Sequence, residues 1–217
     1  IISHVFKKAE EANIGEVIVA AEDQEIVDDV KKNGGQAIIT NNYHQTGTDR
    51  IYEAFVKLDN PKIDLIMNLQ GDEPLINIDD IKNLNNQMIR NNSNLGTLAS
   101  PISDKGLYNN ENVVKVTTEE RLTNINFPDA TSFSRKMYDK NKNIYHHLGI
   151  YCYQKETLKK FVSHKQSSNE RRYKLEQFRA LENDIKIKVA LAKTSPIGVD
   201  TEEDFLAIKK IMEYKSK

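Results

Sequence analysis

Cysteine is nearly absent from this chain: Cys152 is the one thiol in 217 residues, and tryptophan is missing altogether. A lone thiol excludes an internal disulfide and a cysteine-based zinc site, and it suits a reducing compartment such as the cytoplasm. Because Cys152 sits inside the apolar run from Leu148 to Tyr153, it is expected as a small core residue. No apolar run approaches the roughly 20 residues of a membrane helix. There is also no sign of a charged segment, apolar core and cleavage site in the order of a secretory signal. Neither sign of charge dominates: 31 Lys and Arg stand against 32 Asp and Glu, for a net charge of -1. The basic residues are scattered rather than gathered in a stripe, so neither nucleic acid nor an anionic membrane is expected as a partner.

What is present is an ordinary globular composition, 38% hydrophobic and 29% charged. The length suits one domain, or one domain with a small dimerisation arm, and can bury a core without metals or disulfides. The chain opens without Met, and Ile1, Ile2, Val5, Ala9 and Ala12 already have helical spacing. It therefore reads as beginning inside a domain, with an earlier strand preceding it.

In the first half two periods alternate. The strand-like runs Glu16 to Ala21, Gln36 to Thr40, Ile63 to Leu69 and Leu95 to Ser100 are separated by helical patterns at Asp23 to Asn33, Thr48 to Leu58 and Ile78 to Arg90. Such alternation predicts an α/β fold with a largely parallel sheet covered on both faces. Ligands in such sheets bind beyond the carboxyl ends of the strands. After Pro101 the pattern turns to strands at Val113 to Thr117, Leu122 to Phe133 and Leu148 to Tyr153. Helices follow at Glu156 to Val162 and Asn169 to Glu182, then a strand at Ile185 to Leu191 and a helix at Thr201 to Tyr214. The polar stretch Asp139 to Asn143 is expected as a mobile or shortened loop.

Gln70-Gly71-Asp72-Glu73-Pro74 follows the apolar run Ile63 to Leu69 directly. Gly71 lets backbone approach a ligand, and hard carboxylate oxygens at a strand end suit Mg²⁺ held together with substrate phosphates. The same residues also make an ordinary turn. Asp200, between a strand and the last helix, is a second candidate carboxylate, although Asp200 or Thr201 also reads as a helix cap with Asp204. Thr46-Gly47-Thr48-Asp49-Arg50 opens a helix, where hydroxyls and amides bind a polar ligand edge or simply cap the helix. Arg135 could clamp a carboxylate. His147 and Tyr151 would share a strand face, and Glu176 and Gln177 could bond sugar hydroxyls. A paired arginine, a satisfied histidine and a polar helix face are the structural alternatives.

In order along the chain, these motifs resemble the 3-deoxy-manno-octulosonate (Kdo) cytidylyltransferase family. The carrying residues are His44 to Arg50, Asn68 to Pro74, Phe133-Ser134-Arg135, His147 to Tyr151, Leu175-Glu176-Gln177-Phe178-Arg179 and Val199 to Asp204. The resemblance implies a Rossmann-like, mostly parallel sheet of the nucleotide-diphosphosugar transferase type, in one nucleotidyltransferase domain. It also implies a homodimer formed through a β-rich arm at about residues 113–147. It implies CTP and Kdo as substrates in lipopolysaccharide synthesis, with Mg²⁺ held by Asp72 and Asp200. Thr46, Gly47, Arg50 and Gln70 would then surround the nucleotide, while Arg135, His147, Tyr151, Glu176 and Gln177 would line the sugar pocket. The family's phosphate-gripping loop, of the form Pro-Ala-Arg-x-x-Ser-x-Arg-x-x-Gly-Lys, has no counterpart in these residues. After Arg135, Lys136-Met137-Tyr138-Asp139 replaces the usual hydrophobic-Pro segment, so residues are expected to be missing there.

Other readings compete. The acceptor could be another acidic sugar, 8-amino-Kdo or a sialic acid. The chain could be a non-catalytic nucleotide-binding module, or a doubly wound signalling domain with Asp72 as a plain strand-end acid.

Overall fold

The computed structural model describes residues 1–136, 143–195, 198 and 202–215. The first helix, α1 (Ile2–Ala12), buries Val5, Phe6, Ala9 and Ala12 along one stripe and stops at Asn13, which takes a left-handed conformation. β1 (Ile18–Ala21) and β2 (Gln36–Ile39) pair in parallel across α2 (Gln24–Lys32). Val27 and Val30 of α2 meet Phe6, Val19 and Ala21 in a small core of their own.

The larger sheet begins at β3 (Leu65–Asn68), reached through α3 (Gly47–Leu58), and continues past α4 (Ile78–Asn91) into β4 (Leu95–Ser100). After the short α5 (Lys105–Asn109) come β5 (Lys115–Thr118), β6 (Ala130–Ser134) and the long β7 (Ile144–Gln154). Then α6 (Lys155–Ser163), α7 (Ser168–Tyr173), α8 (Gln177–Leu181), β8 (Lys188–Leu191) and α9 (Glu202–Lys215) complete the order. The six strands run β6-β5-β7-β4-β8, with β3 joined to β7.

The α/β class expected from the sequence holds, but the sheet is mixed rather than largely parallel. β7 runs antiparallel to β3, β4 and β5, whereas β4 and β8 are parallel. β7 enters from the β5–β6 hairpin instead of from a crossover helix, and a hairpin reverses chain direction.

Alternation along β4 and β7 feeds two cores. Leu95, Ala99, Tyr151 and Tyr153 face α6, Leu175 and Ala180, while Leu98, Leu148, Ile150 and Cys152 face α4. Every residue of β4 is buried, as expected of a strand covered on both faces. Gly96 allows this: a Cβ there would lie 2.6 Å from Phe127 Cζ and 2.7 Å from Met88 Sδ.

Two further elements differ from expectation. The strand expected over Leu122 to Phe133 forms only at β6. Before it, Asn126 accepts from the Thr123 amide at 2.8 Å and donates to the Arg121 carbonyl at 2.8 Å, while Leu122 N–H donates to the Tyr145 hydroxyl at 2.9 Å. Such local side-chain bonds compete with a strand ladder. The helix expected over Asn169 to Glu182 is broken at Lys174, which is left-handed with φ 53°. The break leaves Leu175 in the core and starts α8 afresh at Glu176. The loop expected at Asp139 to Asn143 and the substituted segment after Lys136 lie largely outside the described residues, as do Asp200 and Thr201.

Candidate active site

Three chain segments meet at the β3 end of the sheet. Thr46 caps α3, accepting from the Asp49 amide at 3.2 Å and donating its hydroxyl to Asp49 Oδ2 at 2.8 Å. The next residue, Gly47, faces β3: a Cβ built there would stand 3.5 Å from the Gln70 amide and 3.6 Å from Asn68 Nδ2. Gln70 in turn leans on β7, 3.4 Å from where a Gly149 Cβ would sit. Thus the α3 start, the β3 exit and the middle of β7 lie side by side. Gln70 to Glu73 forms a turn, with Glu73 N–H donating to the Gln70 carbonyl at 3.3 Å, and Asp72 is exposed on it.

Arg50 does not stand open. Its guanidinium donates to Thr40 Oγ1 at 2.8 Å and to the Glu22 carboxylate. Nearby, His44 and Lys57 both reach Glu53. Burial would raise the Glu53 carboxyl, but Lys57, His44 and Asn41 outweigh it and bring the pKa down to about 2.

The polar groups predicted for a sugar pocket form a buried chain. Gln177 Nε2 donates to the Tyr151 hydroxyl, and the Tyr151 ring lies 5.5 Å from that of His147. His147 is edge-on to Phe133 and its Nε2 is 2.9 Å from Thr97 Oγ1. Thr97 has one hydroxyl hydrogen, and its shortest carbonyl contact is Ile150 at 2.7 Å. That hydrogen is therefore spent, and Nε2 of His147 is the donor. Thr97 also fills a β7 irregularity, where pairing jumps from Tyr151 to Leu148. Burial, with a smaller contribution from His146, lowers His147 to about 3. Burial likewise raises the Tyr151 hydroxyl well above its ordinary value. Both are neutral at physiological pH.

Glu176 joins this chain from the other side, where Thr48 donates its hydroxyl to Oε1 at 3.0 Å. Burial raises its pKa, against the lowering effect of Thr48, Thr46 and Arg179. Among the described residues, three buried polar atoms here have no hydrogen-bond partner: Asn68 Nδ2, Glu176 Oε2 and Gln177 Oε1. Buried polar atoms left without partners are costly, so a cluster of them marks a place shaped for a polar ligand.

Arg135 is held at the edge of this region. Its guanidinium donates to the carbonyls of Glu111, Tyr173 and Lys174 at 3.1, 3.3 and 3.3 Å. Beneath it the buried Lys115 ammonium donates to the Asn110 and Arg135 carbonyls. Arg135 therefore reaches the α7–α8 turn rather than the His147–Tyr151 pair.

Asp200 lies outside the described residues. Gly198, two positions earlier, is placed with its Cβ direction 3.9 Å from the Asp72 carbonyl oxygen, so the β8 exit comes against the β3 exit. The start of that exit is clasped by buried Asp80, which accepts from the Lys193 amide at 2.8 Å and from the Thr194 hydroxyl at 3.0 Å. His146 Nδ1 also meets Ser195 Oγ at 2.6 Å. Among the described residues no three His, Cys, Asp or Glu side chains gather as a metal cage. Mg²⁺ asks for less, one or two carboxylates with substrate phosphates. An exposed Asp72 beside the segment that leads to Asp200 fits that requirement.

The cytidylyltransferase family profile matches residues 1–187. This chain belongs to the cytidylyltransferase family. It is 37% identical over 217 residues to the 3-deoxy-manno-octulosonate cytidylyltransferase of Bartonella bacilliformis, covering 97% of this chain and 87% of that one. With the enzyme of the same name from Thermodesulfovibrio yellowstonii it shares 40% identity over 223 residues, covering 98% and 88%. Among solved structures it is similar to a CMP:2-keto-3-deoxy-manno-octonic acid synthetase complexed with CTP, with a TM-score of 0.86 at 31% identity, covering 99% of this chain and 88% of that one.

For a cytidylyltransferase, several residues at this site escaped sequence reasoning. Asn68 and Asp49 stand inside motifs but carried no assigned role, Thr48 reads only as a ligand-facing hydroxyl or a helix cap, and Thr97, Asp80 and Glu170 gave no signal at all. Arg179 is the most consequential: it is 2% exposed and bound to both Asp49 and Glu170. A hint lay in Arg179 itself, an arginine one position past the buried-type Phe178, since such a cation needs acidic partners.

Proposed function

We propose that this cytidylyltransferase transfers CMP from CTP to the 2-hydroxyl of 3-deoxy-D-manno-octulosonate, giving CMP-Kdo and pyrophosphate. The observation that carries this reading is the 37% identity with a named Kdo enzyme over 97% of the chain. The sugar's anomeric hydroxyl attacks the α-phosphorus, the bond to the β-phosphate oxygen breaks, and the hydroxyl proton is lost. This step asks for positioning and charge neutralisation rather than a nucleophilic side chain.

Asp72 and Asp200 would hold Mg²⁺, and the ion when bound would neutralise triphosphate charge. Thr46, Gly47 and Gln70 stand where a nucleoside edge can meet the α3 amides. Arg50 braces this loop through Thr40 and Glu22. His147 and Tyr151, both neutral, present donors and acceptors to sugar hydroxyls together with Glu176 and Gln177, and the unpartnered Glu176 Oε2 and Gln177 Oε1 gain partners there. Arg135, through the α7–α8 turn, orients Glu176 and Gln177 and supplies positive charge for an acidic sugar. The protein works as a cytoplasmic homodimer, paired through the arm at β5 and β6, and supplies activated sugar for lipopolysaccharide.

The test is product analysis by mass spectrometry with Kdo, 8-amino-Kdo and sialic acid offered together with CTP. CMP-Kdo as the dominant product supports the assignment. Preference for either other sugar overturns it.

A further inference from the structure

Arg179 carries a set of contacts that the proposed chemistry does not use. Its side chain is 2% exposed and stacks 4.6 Å above the Phe161 ring. From there Nη1 donates to Asp49 Oδ1 at 2.7 Å and Nη2 to Asp49 Oδ2 at 3.2 Å. The other edge of the fork serves Glu170, with Nη2 to Oε1 at 2.6 Å and Nε to Oε2 at 3.0 Å. Burial would lower its pKa, but Glu170 and Asp49 outweigh burial and raise it.

Each acid is itself built into a helix start. Asp49 accepts the Thr46 hydroxyl within the α3 cap. Glu170 closes the capping box of α7 with Ser167, also accepts from Gln166 Nε2 at 3.1 Å, and has a side chain only 2% exposed. One guanidinium therefore ties the loop Thr46 to Arg50 to the turn that starts α8. A second bond, Thr48 to Glu176, runs parallel to it. Burying a guanidinium between two carboxylates is a poor route to stability, since desolvation offsets most of the attraction. Its value lies in a fixed, bidentate geometry.

We propose that Arg179 is a positioning residue that locks the α3 loop and the Glu176–Gln177 turn into one register, so that the nucleotide and sugar subsites are set together. This rests on the cytidylyltransferase reading above. Arg179 touches neither substrate; it acts through Asp49 and through the turn before it.

The experiment compares wild type, Asp49→Asn and Arg179→Lys, because Arg179→Met takes the cation from buried Glu170 and part-buried Asp49 and can fail to fold. Hydrogen exchange of the ligand-free proteins is read at residues 46–50 and 175–181, alongside KM for CTP and for Kdo. Asp49→Asn is expected to speed exchange in both segments and to raise both KM values about tenfold, the scale of one charge-assisted hydrogen bond. Arg179→Lys, which keeps the charge and loses the fork, is expected to do the same. Faster exchange confined to residues 46–50, or both KM values within twofold of wild type despite a lower Tm, would reduce Arg179 to a purely structural role and overturn the proposal. A wild type inactive with CTP and Kdo would sink the substrate reading instead. Exchange in the two segments would then still decide the tie.

Discussion

Thr48 and Glu176 are 128 positions apart in the chain and share a hydrogen bond of 3.0 Å, from the threonine hydroxyl to Oε1. Through it the start of α3 meets the start of α8, and a carboxyl group is carried into a place where its charge is poorly solvated.

That placement makes a prediction about pH. Burial raises the Glu176 pKa above its ordinary value of 4.5. The unfolded chain releases this proton first, so the native state binds more protons and stability falls as pH rises above 4.5. Glu176→Gln removes the group. Its Tm relative to wild type is therefore expected to climb between pH 4.5 and 8, and a difference flat with pH would contradict the raised pKa.

His147 has the opposite sign. Its pKa falls from 6.5 to about 3, so the unfolded chain binds the extra proton as pH drops. This contribution to stability is whole above pH 6.5 and is lost as pH falls, with a limiting slope of about 1.4 kcal/mol per pH unit. His147→Gln is expected to flatten the stability profile between pH 6.5 and 5. For the enzyme, the same variant should raise KM for Kdo and leave KM for CTP near wild type.

The clasp at Asp80 is open to a separate test. Its carboxylate receives two amides and a hydroxyl from Lys193 and Thr194. Asp80→Ala leaves these donors unpaired and should cost about 1–3 kcal/mol in a denaturant titration. Because the clasped segment leads toward Asp200, a higher Mg²⁺ concentration for half-maximal activity should accompany the loss.

Cys152 is buried and its thiol is pushed up to about 12 by burial. It should resist alkylation at pH 8 in the folded protein and react at once in denaturant.

How much of this was legible beforehand follows from the range of the interactions. The stripe of Val5, Ala9 and Ala12 and the apolar run of β4 are local patterns, and α1 and β4 form where those patterns predict. So does the Gln70-Gly71-Asp72 turn, directly after β3. The reversal of β7 was hidden because strand direction depends on which connection precedes it, and the apolar run Leu148 to Tyr153 has no direction of its own. The break at Lys174 was hidden because a left-handed lysine is held by tertiary contacts rather than by propensity. At the site, His147, Tyr151 and Gln177 could be proposed as a group from the family resemblance. The Asp49–Arg179–Glu170 tie could not, since it joins acids on two helices to a cation on a third.

The most direct measurement is pyrophosphate release from CTP, Kdo and Mg²⁺, with UTP, ATP and sialic acid as controls and with Asp72→Asn alongside. The account predicts release with CTP and Kdo alone, stopped by a chelator and reduced about 10²- to 10³-fold by Asp72→Asn, the scale of one lost electrostatic contact at a reacting centre. Equal release with UTP or sialic acid, or full activity in Asp72→Asn, would contradict it.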